Sequence, residues 1–166
     1  MKHLKIFEEH RNRPVILYLH GLDGNLGKTK LLFNNVDVQY LGISTDYRLG
    51  SIWDVICDMK IDGVIGHSMG GNLAYFLSNF KNIPCLMFMP CFDDETFDIQ
   101  SIPSDVILLP QTDRKMTVIG SLDDAVNAEK QMKYINGTEI FKHKMGHTLT
   151  TDIYYYYCKM FISKFF

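Results

Sequence analysis

The sequence predicts an α/β fold, a six-stranded and mostly parallel sheet with helices on both faces. Two observations predict it. Short apolar runs recur along the 166 residues, each followed by a turn and a stretch with helical spacing of apolar side chains, and strands that alternate with helices pair in parallel. The composition, 46% hydrophobic and 22% charged, is that of one soluble globular domain, 1–166, with no room for a second.

The runs are Val15 to His20, Asp37 to Ile43, Gly63 to Ser68, Pro84 to Pro90, Met116 to Gly120 and Thr138 to His143. Lys28 and Thr29 open the helix after the first run. Behind Ser51 as cap, Ile52, Val55, Ile56 and Met59 form one helical stripe, and Leu73, Phe76, Leu77 and Phe80 form another after the third run. Ala125, Ala128 and Met132 predict a helix that opens near Asp124. In the last helix Ile153, Tyr156, Tyr157, Met160 and Phe161 give a wide stripe, with Tyr156 and Tyr157 inward and Tyr154 and Tyr155 partly exposed. Between Phe92 and Lys115 the pattern is irregular, which predicts a long connection with at most one short helix.

A net charge of -2 creates no field that would draw the chain to nucleic acid or an anionic membrane, so the expected partner is small and near neutral. Oligomeric state is left open. Cys57, Cys85, Cys91 and Cys158 lack the paired spacing of a zinc or redox motif and read as free thiols in a reducing compartment. The first ten residues carry charge throughout and offer no leader signature, so a cytoplasmic location is expected.

Ligands of such sheets bind at the carboxyl ends of the strands. There the chemistry concentrates. Gly66-His67-Ser68-Met69-Gly70 places a serine on a sharp turn from strand to helix, which lifts its hydroxyl clear of the sheet. A serine nucleophile needs a base, a carboxylate to orient the base, and N–H donors for the oxyanion. After the fifth run, Gly120-Ser121-Leu122-Asp123-Asp124 offers Asp123 as the acid and Asp124 as the cap of the following helix, although both aspartates could serve only as caps. Beyond the sixth run, His147 follows Gly146 and can swing back as the base, whereas His143 reads as a strand residue satisfied locally. Leu19-His20-Gly21-Leu22 turns the chain so that the N–H of Leu22, with that of Met69, forms the oxyanion hole. His20 is expected to be buried and held by backbone hydrogen bonds. Asn25, His67 and Met145 are the expected substrate-lining residues.

Two rivals compete. Gly24-Asn25-Leu26-Gly27-Lys28-Thr29 approaches a phosphate-binding loop, but that loop needs glycine at the position of Leu22, and this chain has Gly21. The acidic group Asp93, Asp94, Glu95 and Asp98 could hold a divalent metal or supply a carboxylate pair for glycoside chemistry but reads as a solvated loop, with Asp93 or Asp94 in reserve as the orienting acid. A non-catalytic binding protein on the same fold is the third reading.

His20-Gly21, Gly66-His67-Ser68-Met69-Gly70-Gly71, Asp123 and Gly146-His147 resemble the α/β-hydrolase superfamily over nearly the whole chain, in its order of Ser, Asp and His. Within it, the short length, Leu17-Tyr18-Leu19-His20-Gly21 near the N-terminus, Ile83-Pro84 leading to Met89-Pro90, and Asp123-Asp124 are similar to the small bacterial YqiA-like esterases. That resemblance implies a three-layer sandwich with little or no lid, and hydrolysis of small carboxylic esters or thioesters through an acyl-enzyme on Ser68 without a cofactor or metal. The chain departs from the group in having His67 and Met69 within the elbow and a shorter segment between Pro90 and Lys115.

Overall fold

The structure is a computed structural model that describes residues 4–5, 13–22, 24, 26–27, 37–93, 96, 100–135 and 137–166. Its strands are β1 (Leu4–Lys5), β2 (Val15–Leu19), β3 (Gln39–Ile43), β4 (Gly63–His67), β5 (Cys85–Phe88), β6 (Lys115–Gly120) and β7 (Glu139–His143). They form one sheet in the order β1-β3-β2-β4-β5-β6-β7. The six strands expected from sequence are all parallel, in registers such as Leu19 beside Gly66 and His67 beside Phe88. The short antiparallel β1 on the β3 edge is additional. Its two residues are too few to show a period in the sequence.

Alternation along each strand divides the core. Leu17, Leu19, Val64 and Met87 point to one cluster with α2 (Met69–Lys81), while Ile16, Tyr18, Ile65 and Phe88 point to the other with the C-terminal helix (Thr151–Phe165). The sheet is therefore covered on both faces. Shorter α-helices besides these are α1 (Trp53–Ile56), α3 (Ser104–Ile107) and α4 (Ala128–Ile135), which makes the C-terminal helix α5, and Tyr47–Leu49 form a 3-10 turn. No helix among the described residues is long and apolar enough to cross a membrane.

Several helices differ in phase or length from the sequence reading. In α5 the buried side chains are Tyr154, Tyr157, Cys158, Phe161 and Ile162, and Tyr156 lies outward with Tyr155. Four consecutive tyrosines fit any phase, and it is Cys158 and Ile162 that select this one. Helix α1 has a single turn, turning Trp53 and Ile56 inward and leaving Val55 exposed. Its N-cap is Ile52, which offers no side-chain oxygen, and Ser51, expected as the cap, stands one residue further out and accepts the Trp53 N–H through Oγ at 3.1 Å. Helix α4 starts at Ala128, four residues beyond Asp124, because Asn127 Oδ1 takes the Lys130 N–H at 3.1 Å and is the cap. In the long connection Thr96 and Gln100 are helical as well as α3, so it holds more helix than expected. The helix foreseen at Lys28 and Thr29 lies outside the described residues.

At the N-terminal end of β6, Lys115 is 1% exposed. Its ammonium donates to Asn79 Oδ1 at 2.6 Å and to Thr112 O and Oγ1 at 2.9 Å each, and sits over the Tyr75 ring. Burial lowers its pKa, and the ring of acceptors is what makes a buried ammonium tolerable.

Candidate active site

Strand β4 runs straight into α2 through Ser68, whose φ of 54° and ψ of -120° put a non-glycine residue in a strained conformation. The elbow is tight because its glycines let backbones touch. A Cβ on Gly66 would overlap the Gly70 carbonyl, and one on Gly70 would overlap the carbonyls of Leu19 and His20. Hydrogen bonds hold the strain in place. Ser68 N–H donates to Phe88 O at 2.9 Å, and Ser68 O accepts from Gly71 at 2.9 Å, Cys91 at 3.1 Å and Asn72 at 3.2 Å.

Ser68 Oγ lies 3.0 Å from His147 Nε2, and His147 Nδ1 lies 2.8 Å from Asp123 Oδ2. An ionised carboxylate only accepts, so Nδ1 carries the ring proton and Nε2 is free to accept from the serine hydroxyl. Asp123 is the more buried member of the pair, its side chain 1% exposed against 26% for His147. Its other oxygen, Oδ1, accepts from Ala125 N at 3.0 Å and Val126 N at 2.8 Å.

The loops that carry Asp123 and His147 are bound to each other by their backbones. His143 O accepts from Ser121 N at 2.8 Å and from Met145 N at 2.9 Å, while Met145 O accepts from Leu122 N at 3.0 Å. A Cβ on Gly120 would lie 2.5 Å from Met145 O and 2.9 Å from Gly146 O, so the loops touch without space for a side chain. His143 is satisfied by Tyr157, with Nε2 2.7 Å from the phenol oxygen, which ties the end of β7 to α5.

His20 is 1% exposed. Its Nε2 accepts the Thr45 N–H at 3.2 Å, Nδ1 bonds Gly21 O, and its carbonyl accepts from Tyr47 Oη at 2.9 Å. That leaves the ring no part in proton transfer at Ser68. The next residue, Gly21, has its face against Ser68, 3.2 Å from a Cβ position to Ser68 Cβ. Gly24 N–H closes a turn on Gly21 O at 3.0 Å, and the turn does not use the N–H of Leu22, its second residue. Met69 N is the first amide of α2, where helix N–H groups lack partners within the helix.

Of the expected lining residues, His67 turns to His147: its Nε2 is 3.3 Å from His147 O and the two rings lie 5.2 Å apart at 34°. Met145 packs on the α5 side of the core. Asn25, Lys28 and Thr29 lie outside the described residues, as do Asp94, Glu95 and Asp98. Asp93, the reserve acid, is engaged elsewhere: Oδ2 accepts from Cys91 Sγ at 3.0 Å and Oδ1 from Thr96 N at 2.8 Å. Burial works against its ionisation, but those hydrogen bonds outweigh it and hold the carboxyl below its ordinary value. No group of three His, Cys, Asp or Glu among the described residues is placed to hold a metal ion.

Sequence reading misses Tyr47, which clamps the His20 turn, and Gln131, whose Oε1 takes the Phe92 N–H at 2.7 Å. Gln131 also lines, with Met89, Pro90, Ile119 and Val126, a small recess behind Asp123. Neither has a sequence signature, since both act through backbone groups far along the chain.

No protein-family model and no curated protein matches the sequence. Solved structures do match. Est1E from Butyrivibrio proteoclasticus, also solved with ferulic acid bound, superposes with a TM-score of 0.67 at 14% identity, over 92% of this chain and 88% of that one. Zea mays acyl-protein thioesterase 2 gives 0.59 at 13% identity over 95% and 96%. A Bacillus cereus carboxylesterase gives 0.58 at 16% identity over 92% and 89%. This chain therefore has the α/β-hydrolase fold.

Proposed function

We propose that this α/β-hydrolase fold is a serine hydrolase of small carboxylic esters or thioesters, working through an acyl-enzyme on Ser68. One observation carries the reading: an unbroken hydrogen-bond chain from Ser68 Oγ through His147 to Asp123, at 3.0 and 2.8 Å. Such a chain makes a weak nucleophile into a strong one.

As Ser68 Oγ attacks the substrate carbonyl, its proton passes to His147 Nε2, and Asp123 stabilises the imidazolium through Nδ1–H. The N–H groups of Leu22 and Met69 receive the negative charge on the carbonyl oxygen. Met69 adds the positive end of the thirteen-residue α2. Collapse expels the alcohol or thiol, which takes the proton back from Nε2. Water, deprotonated by His147, then attacks the acyl-serine; Ser68 recovers its proton and the carboxylic acid leaves.

The likeness to carboxylesterases and to an acyl-protein thioesterase supports ester or thioester as the substrate class. The four free thiols support a cytoplasmic site of action. Ser68→Ala is the test. It should abolish burst acylation by p-nitrophenyl acetate and labelling by a fluorophosphonate while the melting temperature stays within a few degrees; turnover at the wild-type rate would overturn the assignment.

A further inference from the structure

We propose that His67, the residue before Ser68, is a positioning residue that tethers the nucleophile elbow to the loop of His147. The inference rests on the hydrolase reading for its kinetic consequences but not for its geometry. In the sheet order, β4 and β7 are three strand spacings apart, about 14 Å. His147 must therefore reach back across β5 and β6 to meet Ser68. On the near side its loop is fastened to the Asp123 loop by the backbone bonds of His143, Leu122 and Met145. On the far side the link cannot be the bond between Ser68 and His147, because that bond is broken and remade as the proton moves.

His67 supplies one that survives. Its Nε2–H donates to the His147 carbonyl at 3.3 Å, a group that takes no part in proton transfer. The ring lies 5.2 Å from that of His147 and tilted by 34°, a wall against rotation of the imidazole. Strand alternation directs it there: His67 is two residues beyond Ile65, whose side chain packs with α5, and the His147 loop enters from that side as it leads into α5. The face of Gly21 closes the other side, with a Cβ position 3.3 Å from His67 Nδ1.

Three variants separate the contributions. His67→Phe keeps a ring and loses the donor, His67→Gln keeps an N–H donor and loses the ring, and His67→Ala loses both. Turnover is expressed per active site, counted by burst amplitude, so that loss of folded protein does not register. His67→Ala and His67→Phe should lower kcat by about 10- to 100-fold with little change in KM, and His67→Gln should restore most of it. In the same variants the downfield proton resonance of His147 Nδ1–H, read without substrate, should broaden or vanish with Ala and Phe and persist with Gln.

An unchanged per-site kcat together with an unchanged resonance in His67→Ala would overturn the tether. So would a His67→Gln variant no better than His67→Phe, a comparison that also decides the matter if the alanine variant does not fold. A wild-type protein that gives no burst would instead overturn the hydrolase reading, and the resonance alone would then judge His67.

Discussion

Asp123 uses its two oxygens for different tasks, Oδ2 for His147 and Oδ1 for the amides of Ala125 and Val126. Asparagine divides those tasks. In Asp123→Asn the side-chain oxygen can still accept from the two amides, so the turn should hold and the melting temperature should change little. Its NH2 then faces His147 Nδ1, which must accept, and the ring proton is forced onto Nε2, where it blocks the serine. Turnover per site should fall by about 10⁴-fold, as in the serine proteases; steady-state kinetics alongside a thermal melt checks both halves, and a large loss of stability with modest kinetic loss would refute the division. The positions of Ser68, Asp123 and His147 are legible in sequence because each is a reactive residue type just past a strand end and within three residues of a glycine. His67 is legible as a pocket residue at most. Its link is to a backbone carbonyl eighty residues away, and no side-chain pattern encodes where a carbonyl will lie.

At the level of elements, the loops after β6 and β7 behave as one piece, stitched by two backbone bonds, Ser121 to His143 and Leu122 to Met145, and in contact at Gly120. Gly120→Ala should force them apart, since its Cβ would sit 2.5 Å from Met145 O. Moving His147 and Asp123 by even an ångström relative to Ser68 should cost about 100-fold in turnover, to be read as kcat per titrated site at unchanged substrate. A fully active variant would mean that the loops can separate without consequence. The strands are readable from sequence because β-rich apolar runs between turn residues leave little choice of boundary. Helix phase is less so. The Tyr154 to Tyr157 run offers apolar side chains on every side of α5, and only the fit of Tyr154, Tyr157 and Cys158 against β2 and β5 side chains such as Tyr18 and Phe88 decides which enter.

Over the whole molecule, the core holds an unusual load of weakly acidic groups. Burial raises the phenols of Tyr40, Tyr47 and Tyr154, pushes Tyr18 up to about 12, raises the thiol of Cys158, and pushes Cys85 up to about 12 and Cys91 to about 11. A group whose pKa is higher folded than unfolded stabilises the fold fully below its unfolded value, and that contribution is lost as pH rises through the folded value. Lys115, lowered by burial, works the other way and gains as pH rises. With one lysine against these seven acids and the likewise raised phenols of Tyr75 and Tyr157, the urea midpoint should be flat through neutral pH and fall as the pH passes the ordinary thiol value of 9.0 and phenol value of 10.0. Phenolate absorbance at 295 nm should rise with unfolding in one cooperative step; a midpoint that holds steady to pH 11 would contradict this. Lys115 has a further consequence, for how the sheet assembles. A strand that slips by one residue turns its faces inside out, and the apolar pattern forbids that; a slip by two preserves the pattern and is the error a parallel sheet is least able to detect. For β6 such a slip would carry the Lys115 ammonium about 6.6 Å away from the Asn79 and Thr112 oxygens that cradle it. The lysine is thus a key for register, and it is cut at the opposite end of the strand from the aspartate whose position it secures.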